Sequence, residues 1–161
     1  MDNADQLIVR RVMPVDLRGV AELLVERHGR RGSVADEEKI HQVAQAALEH
    51  PGVLFVGAYH EGQPGFAHGK LVGLLTMHLL VSIEDLGEIG WIETLYVRPP
   101  YRRRGLAQRL LDQALSWAEA RGLRRVDVEF WEKHDAAAAQ RLYGNRGFEL
   151  VRRSRMSRAL G

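Results

Sequence analysis

The chain has 161 residues, 45% hydrophobic and 27% charged, and its 23 basic and 21 acidic side chains leave a net charge of +2. That suits one soluble domain with a real core over residues 1–161; no apolar run reaches the ~18 residues of a membrane span, and the acidic opening Met1-Asp2-Asn3-Ala4-Asp5 is unlike a secretory leader, so a cytoplasmic location is expected. The absence of cysteine excludes disulfides, thiolate metal sites and a cysteine nucleophile, and the slight positive charge tolerates nucleic acid without pointing to it.

Leu7 to Val12 reads as a first strand, and Pro14-Val15-Asp16 opens a helix with Asp16 as its cap. Leu17, Val20, Ala21, Leu24 and Val25 recur at helical spacing as one apolar stripe, until the polar stretch Arg27 to Ser33 breaks the pattern. A second helix, Asp36 to Glu49, repeats the spacing through Ile40, Val43, Ala44, Ala47 and Leu48 and stops at Pro51-Gly52. Val53 to His60 and Lys70 to Val81 form an antiparallel hairpin around the long loop Glu61 to Gly69. Gly69-Lys70 at its tip has the look of a phosphate loop, but Pro64 stands at the first glycine's place and Leu71 follows the lysine, so that motif is rejected.

After the turn Ser82 to Gly87 comes the strand Glu88 to Val97, then a helix from Leu106 to Arg121 stopped by Gly122, then the alternating strand Arg125 to Trp131. Strand, helix and strand in that order imply a right-handed crossover and a parallel pair. A last helix, roughly Asp135 to Asn145, stops at Gly147, and Phe148 to Met156 is expected to return as a terminal strand.

The stretch that organises the chain is Tyr101-Arg102-Arg103-Arg104-Gly105-Leu106-Ala107-Gln108. A strand that ends at Pro99-Pro100 and re-enters as a helix aims the first unpaired amides of that helix at one point, where its dipole favours an anion such as a pyrophosphate. Gly105 and Ala107 let backbone approach a ligand, and three arginines surround the spot; the alternative is a solvated arginine turn that only starts a helix.

The run Ile92-Glu93-Thr94-Leu95-Tyr96-Val97-Arg98-Pro99-Pro100-Tyr101-Arg102-Arg103-Arg104-Gly105-Leu106-Ala107 resembles the signature of the GNAT superfamily of acyl-CoA N-acyltransferases, Gln/Arg-x-x-Gly-x-Gly/Ala after such a strand. Arg102, Gly105 and Ala107 match that motif, and Leu142-Tyr143 and Gly147-Phe148 stand at the family's distance downstream. The resemblance implies an α/β fold: a mixed, mostly antiparallel central sheet, a parallel strand pair around the crossover helix, and about four helices on its faces. It implies an acetyl-CoA-dependent N-acetyltransferase without a metal. Leu95, Tyr96 and Val97 would serve the pantetheine arm and thioester, and Arg102, Arg103, Arg104, Gly105, Leu106, Ala107 and Gln108 the pyrophosphate.

Acetyl transfer to an amine needs a base or water path, since an amine with a pKa near ~10.4 is mostly protonated, and a leaving thiolate with a thiol pKa of about 8.5 departs more easily beside an acid. By the resemblance, Tyr143 is the acid at the cofactor's sulfur; the alternative is an aromatic anchor for the last helix. Glu93 is the candidate base through a water, because a carboxylate inside such a strand is costly without a task; the alternative is a pairing with an arginine, and a bulge in this strand would change which way it points. Where many relatives carry Asn seven residues before the tyrosine, this chain has Ala136, so a pantetheine contact is missing or supplied by His134 or Asp135.

The seven histidines show no metal-binding spacing, and His78 reads as a hydrogen-bonded sheet residue or a cleft residue. Trp91 and Trp131 read as packing, and Arg152, Arg153, Arg155 and Arg158 as a charged terminal edge without the interleaved aromatics of a nucleic-acid surface. The acceptor is expected to be a small-molecule amine; a protein amine and a non-catalytic CoA-binding module are the alternatives, and a homodimer is compatible with the reading. Arg30 and Arg31 would suit an acceptor with a carboxylate or phosphate, whereas Glu84, Asp85 and Glu88 would suit a polycation.

Overall fold

The hydrophobic pattern makes a five-stranded sheet in the order β1-β2-β3-β4-β5, with β1 Leu7–Arg11, β2 Val53–His60, β3 Lys70–Ser82, β4 Gly87–Val97 and β5 Val126–Val128. The computed structural model describes residues 6–130, 136–151 and 155–160. The described residues fall into two compact units, one up to Glu129 and one from Phe130 onward. Neighbouring strands of the first unit run antiparallel except β4 and β5, which pair in parallel at Gly90↔Val126, Trp91↔Asp127 and Ile92↔Val128.

Helices α1, Leu17–Arg30, and α2, Glu37–Glu49, cover one face of the sheet, and α3, Leu106–Arg121, covers the other. The first face packs Leu17, Val20 and Leu23 of α1 against Tyr59, Leu71, Leu74 and Tyr96. On the second, Leu106, Leu110, Leu111, Ala114 and Ala118 of α3 are buried at i, i+4, i+5, i+8 and i+12, and Leu110 reaches the Gly73 backbone. Truncating one of these leucines to alanine should cost roughly 2–5 kcal/mol. No helix among the described residues is long and apolar enough to cross a membrane.

The mixed sheet and the parallel pair are as the sequence implies, and α3 and its Gly122 stop fall where the pattern places them. Several expectations need correction. Asp16 does not cap α1: its carboxylate is buried, takes the Arg10 guanidinium at 2.7 Å, and accepts from the Met13 amide and the Tyr59 hydroxyl. The short-range geometry of Pro14–Asp16 is a single tight turn, and α1 begins after it. α1 also runs on through Arg27 to Arg30, because the polar stretch still has helix formers; Arg31 caps it and the left-handed Gly32, with a φ of 74°, turns the chain away.

The alternation of Arg125 to Trp131 yields a strand only over Val126–Val128, and Trp131 lies outside the described residues. The expected terminal strand is absent from residues 148–151 and 155–160; exposed Leu150, Val151 and Met156 give it no buried face to pair on. In the second unit α4 spans Ala136–Gly144, and Asp135, the predicted start of that helix, is outside the described residues.

Candidate active site

The site begins with a parity change in β4. Thr76 pairs with Thr94 and Met77 with Ile92, so Glu93 is an extra residue, a bulge that no residue of β3 opposes. Before it, the carbonyl of Glu88 and the amide of Gly90 reach toward the segment leading into β5, at Arg124 and Arg125. After it, the Arg98 amide donates back to Val72 of β3, so by strand alternation the backbone groups of Leu95 and Val97 face away from β3. β5 ends its pairing at Ile92, so among the described residues no strand covers that side of Leu95, Tyr96 and Val97. An extended chain could lie along this edge.

Val97 leads into the tight turn Pro99–Tyr101 and then into α3. Arg103 has a φ of 60° and Gly105 a φ of 74°, and Gly105 stands directly before the right-handed first turn of α3, a left-to-right step that folds successive amides into a concave nest that suits an anion. Such a conformation costs a non-glycine residue of order 1 kcal/mol, so its presence at Arg103 marks a place where shape outranks local comfort. The first bond that returns into the helix is Arg109 N–H to Gly105 C=O, which leaves the amides before it directed at the nest, where the α3 dipole adds positive charge.

The arginines there are not equivalent. Arg102 donates from Nε to the Val97 carbonyl at 2.9 Å and lies over the Tyr96 ring, bracing the end of β4. Arg104 lies over the Tyr101 ring, whose hydroxyl meets His60, while Arg103 is exposed. The resemblance gives all three to the pyrophosphate; the structure gives Arg102, the motif position, a partner on the strand.

The α1-facing side of β3 and β4 carries the second group. His78 and Trp91 are cross-strand partners, their rings 5.6 Å apart, and Glu93 Oε2 meets His78 Nε2 at 2.7 Å. The Glu93 side chain is 52% exposed, so no burial cost demands a task for it, and it pairs with a histidine, where the alternative to a base is a pairing with an arginine. Over them lies the C-terminal end of α1: Glu26 accepts from the Tyr96 hydroxyl at 2.8 Å and pairs with Arg98 and Arg30. Arg27 sits within electrostatic range of Glu93 and Tyr96; burial lowers its pKa, the positive charge of Arg31 lowers it further, and Glu93 and Tyr96 oppose that.

Sequence reasoning passed over Arg27, although a signal exists: it stands four residues after Leu23 and seven after Val20, on the apolar stripe. Burial and the bond to Glu26 raise the Tyr96 hydroxyl as well. Tyr96 therefore anchors the strand through its side chain.

In the second unit, Tyr143 is 6% exposed, stacked at 6.1 Å on Phe130 and edge-on to Phe148 at 5.3 Å. Burial pushes its hydroxyl up to about 12, so it stays protonated at any physiological pH. Ala136 is the first residue of α4, while His134 and Asp135 lie outside the described residues.

The family described as acetyltransferase (GNAT) family matches residues 17–148. Among solved structures, an acetyltransferase from Trypanosoma brucei is 21% identical with a TM-score of 0.74, covering 96% of this chain and 100% of its own. An aminoglycoside acetyltransferase from an uncultured soil metagenomic sample, in complex with sisomicin, is 19% identical with a TM-score of 0.72, covering 96% and 97%. Glucosamine-6-phosphate N-acetyltransferase from Arabidopsis thaliana is 15% identical with a TM-score of 0.72, covering 98% and 100%. These likenesses are of fold. No curated protein matches the sequence.

Proposed function

Because this chain belongs to the GNAT acetyltransferase family, we propose that it moves an acetyl group from acetyl-CoA to a primary amine of a small molecule, by direct transfer with both substrates bound. The observation that carries this reading is the pair of left-handed residues, Arg103 and Gly105, at the mouth of α3 beside the uncovered edge of β4. Diphosphate oxygens fit the first, and the amide-bearing pantetheine arm fits the second.

In this reading the amides from Arg103 to Gln108 hold the diphosphate, and the outward backbone groups of Leu95 and Val97 hold the arm and the acyl carbonyl. Bound there, acetyl-CoA supplies the acyl group as a thioester. The Val97 carbonyl already accepts from Arg102, so the Leu95 groups and the Val97 amide carry that contact. Glu93 and His78 share one short hydrogen bond and take the proton that the ammonium of the acceptor must lose, directly or through a water. The amine nitrogen then bonds to the acyl carbon, the carbon–sulfur bond breaks, and sulfur leaves with the electron pair.

Tyr143 is carried over from the family's motif as the donor to that sulfur. A phenol held at about 12 gives up its proton to a thiolate only against the gradient, so its contribution is a hydrogen bond that stabilises the leaving charge. The family match extends from α1 past Tyr143, which supports reading the chain as one acetyltransferase domain.

A second reading, a CoA-holding module without turnover, draws on Ala136, which has no amide to offer the arm. Thiol release from acetyl-CoA with a panel of amines separates the two. If CoA raises the melting temperature while no amine releases thiol, the module reading stands and the transferase reading falls.

A further inference from the structure

We propose that the acceptor amine also carries an anionic group, a carboxylate or a phosphate, and that Arg27 holds it; the inference rests on the transfer reading above. Val20 and Leu23 are both fully buried, and Arg27 follows them at i+7 and i+4, so the helix turns its side chain toward the same sheet face. That face carries Trp91, His78, Glu93 and Tyr96.

Among the described residues Arg27 has no hydrogen bond and no ion pair, and the carboxylates around it are engaged elsewhere. Glu26 takes the Tyr96 hydroxyl, Arg98 at 3.5 Å and Arg30 at 3.7 Å; Glu93 takes His78 at 2.7 Å; Glu22 takes Arg18 at 3.3 Å. A half-buried guanidinium that no carboxylate bonds, with Glu93 acting on it only at a distance, carries a desolvation cost that an arriving anion offsets. The favourable charge of a helix C-terminus is no substitute explanation, because exposed Arg30 supplies it from solvent at no such cost.

The opposite charge class fits less well. Asp85 is tied to Arg125 and Ser82, and Glu88 to Arg121 at 3.2 Å, so much of the acidic β3–β4 turn is neutralised by the protein's own groups. What remains is a bipolar face: a carboxylate and an imidazole for the amine, and a guanidinium for an anion. The groups that bias Arg27 from each side are Glu26, Arg30 and Arg31 on its own helix and Glu93, His78 and Tyr96 from the sheet.

The experiment uses the full-length protein saturated with CoA, with β-alanine and aminoethyl phosphate as anionic amines and propylamine and ethanolamine as neutral ones. Calorimetry reads binding, and thiol release from acetyl-CoA reads turnover. The anionic amines should bind, and show KM values, about tenfold or more in their favour; Arg27→Gln should shrink that preference tenfold or more through KM, and Arg27→Lys should restore part of it. A better response to either anion supports the proposal and names the group. Circular dichroism and the CoA-induced melting shift establish that each variant is folded. Equal binding of anionic and neutral amines by the unaltered protein overturns the proposal whatever the turnover, as does a preference that survives in a folded Arg27→Gln. Arg27-dependent binding of anionic amines with no thiol release from any amine overturns the transfer reading and leaves this one standing.

Discussion

Two glycines bracket α3, and substituting each by alanine separates backbone strain from ligand binding. Gly105 at the N-terminus has a φ of 74° and Gly122 at the C-terminus a φ of 77°. An alanine Cβ would meet nothing closer than Gln108 Oε1 at 3.8 Å at the first position, and nothing within 4 Å at the second. Neither substitution clashes with protein, so each should cost only the left-handed penalty of about 1–2 kcal/mol, a fall of roughly 2–8 °C in melting temperature for a chain of this size. The two variants should therefore melt alike without ligand. They should differ once CoA is added, because only the Gly105→Ala methyl stands where diphosphate oxygens approach the backbone. Loss of about tenfold or more in CoA affinity is expected for Gly105→Ala and none for Gly122→Ala, read by calorimetry and by the CoA-induced melting shift. If both variants lose equal stability and both keep full CoA affinity, the nest does not hold the diphosphate and the reasoning from Arg103 and Gly105 fails.

Glu93→Gln keeps the size and a hydrogen bond to His78 but removes the proton acceptor, so kcat should fall about a hundredfold while CoA affinity is kept; steady-state thiol release beside calorimetry checks both. Tyr143→Phe should lower kcat about tenfold or more with its ring packing on Phe130 and Phe148 preserved, and because burial holds the hydroxyl near 12, the unaltered enzyme should show no loss of rate assignable to this phenol up to about pH 10. Acid titration tests Asp16: burial alone would raise its pKa, but Arg10, the Met13 amide and the Tyr59 hydroxyl outweigh that and lower it. A depressed carboxylate contributes stability above its unfolded value of about 3.9, and that contribution is lost as pH falls through the lower folded value, so melting temperature should decline from about pH 4 downward. Arg10→Met, which leaves the 5%-exposed carboxylate without its cation, should cost about 3 kcal/mol and flatten that acid limb; an unchanged limb would show that Asp16 does not govern it.

Elements with a strong period and a chemical stop were legible in the sequence. α3 has five buried positions on one stripe and a glycine that alone tolerates its terminal conformation, so Leu106–Arg121 and Gly122 could be read directly. The motif glycine was legible as a place where backbone could approach a ligand, while its left-handed φ of 74° was not, since Arg103 adopts that region too. Asp16 was misread because a residue before a helix has two uses for a carboxylate, and the choice depended on Tyr59, 43 positions away in sequence. The His78–Glu93 pair was hidden by register rather than by parity: Glu93 shares the face of Trp91 two residues before it, but that His78 stands opposite Trp91 depends on how β3 and β4 align, which the sequence does not show. Arg27 lay in a stretch that reads as a break, so its place on the stripe of Val20 and Leu23 was a weak signal beside the arginines at 30 and 31, which are exposed while it is half-buried.

The bulge at Glu93 decides which residues line the open edge of β4. A regular β4 would keep the parity set by Glu88 and Gly90 through to its end, and the outward backbone groups after Ile92 would belong to Thr94 and Tyr96. The side chains of those two would then exchange faces with Leu95 and Val97, and the Tyr96 hydroxyl would lose Glu26. One inserted residue instead leaves Leu75↔Leu95 and Gly73↔Val97 packed toward α3, keeps Tyr96 under α1, and turns the Leu95 and Val97 backbone outward where β5 no longer pairs. The inserted residue is itself Glu93, which meets His78 on the face it shares with Trp91. The strand therefore presents the Leu95 and Val97 backbone along one edge a few residues before the α3 nest while Tyr96 stays bonded to Glu26, and a regular strand could supply one of these only by giving up the other.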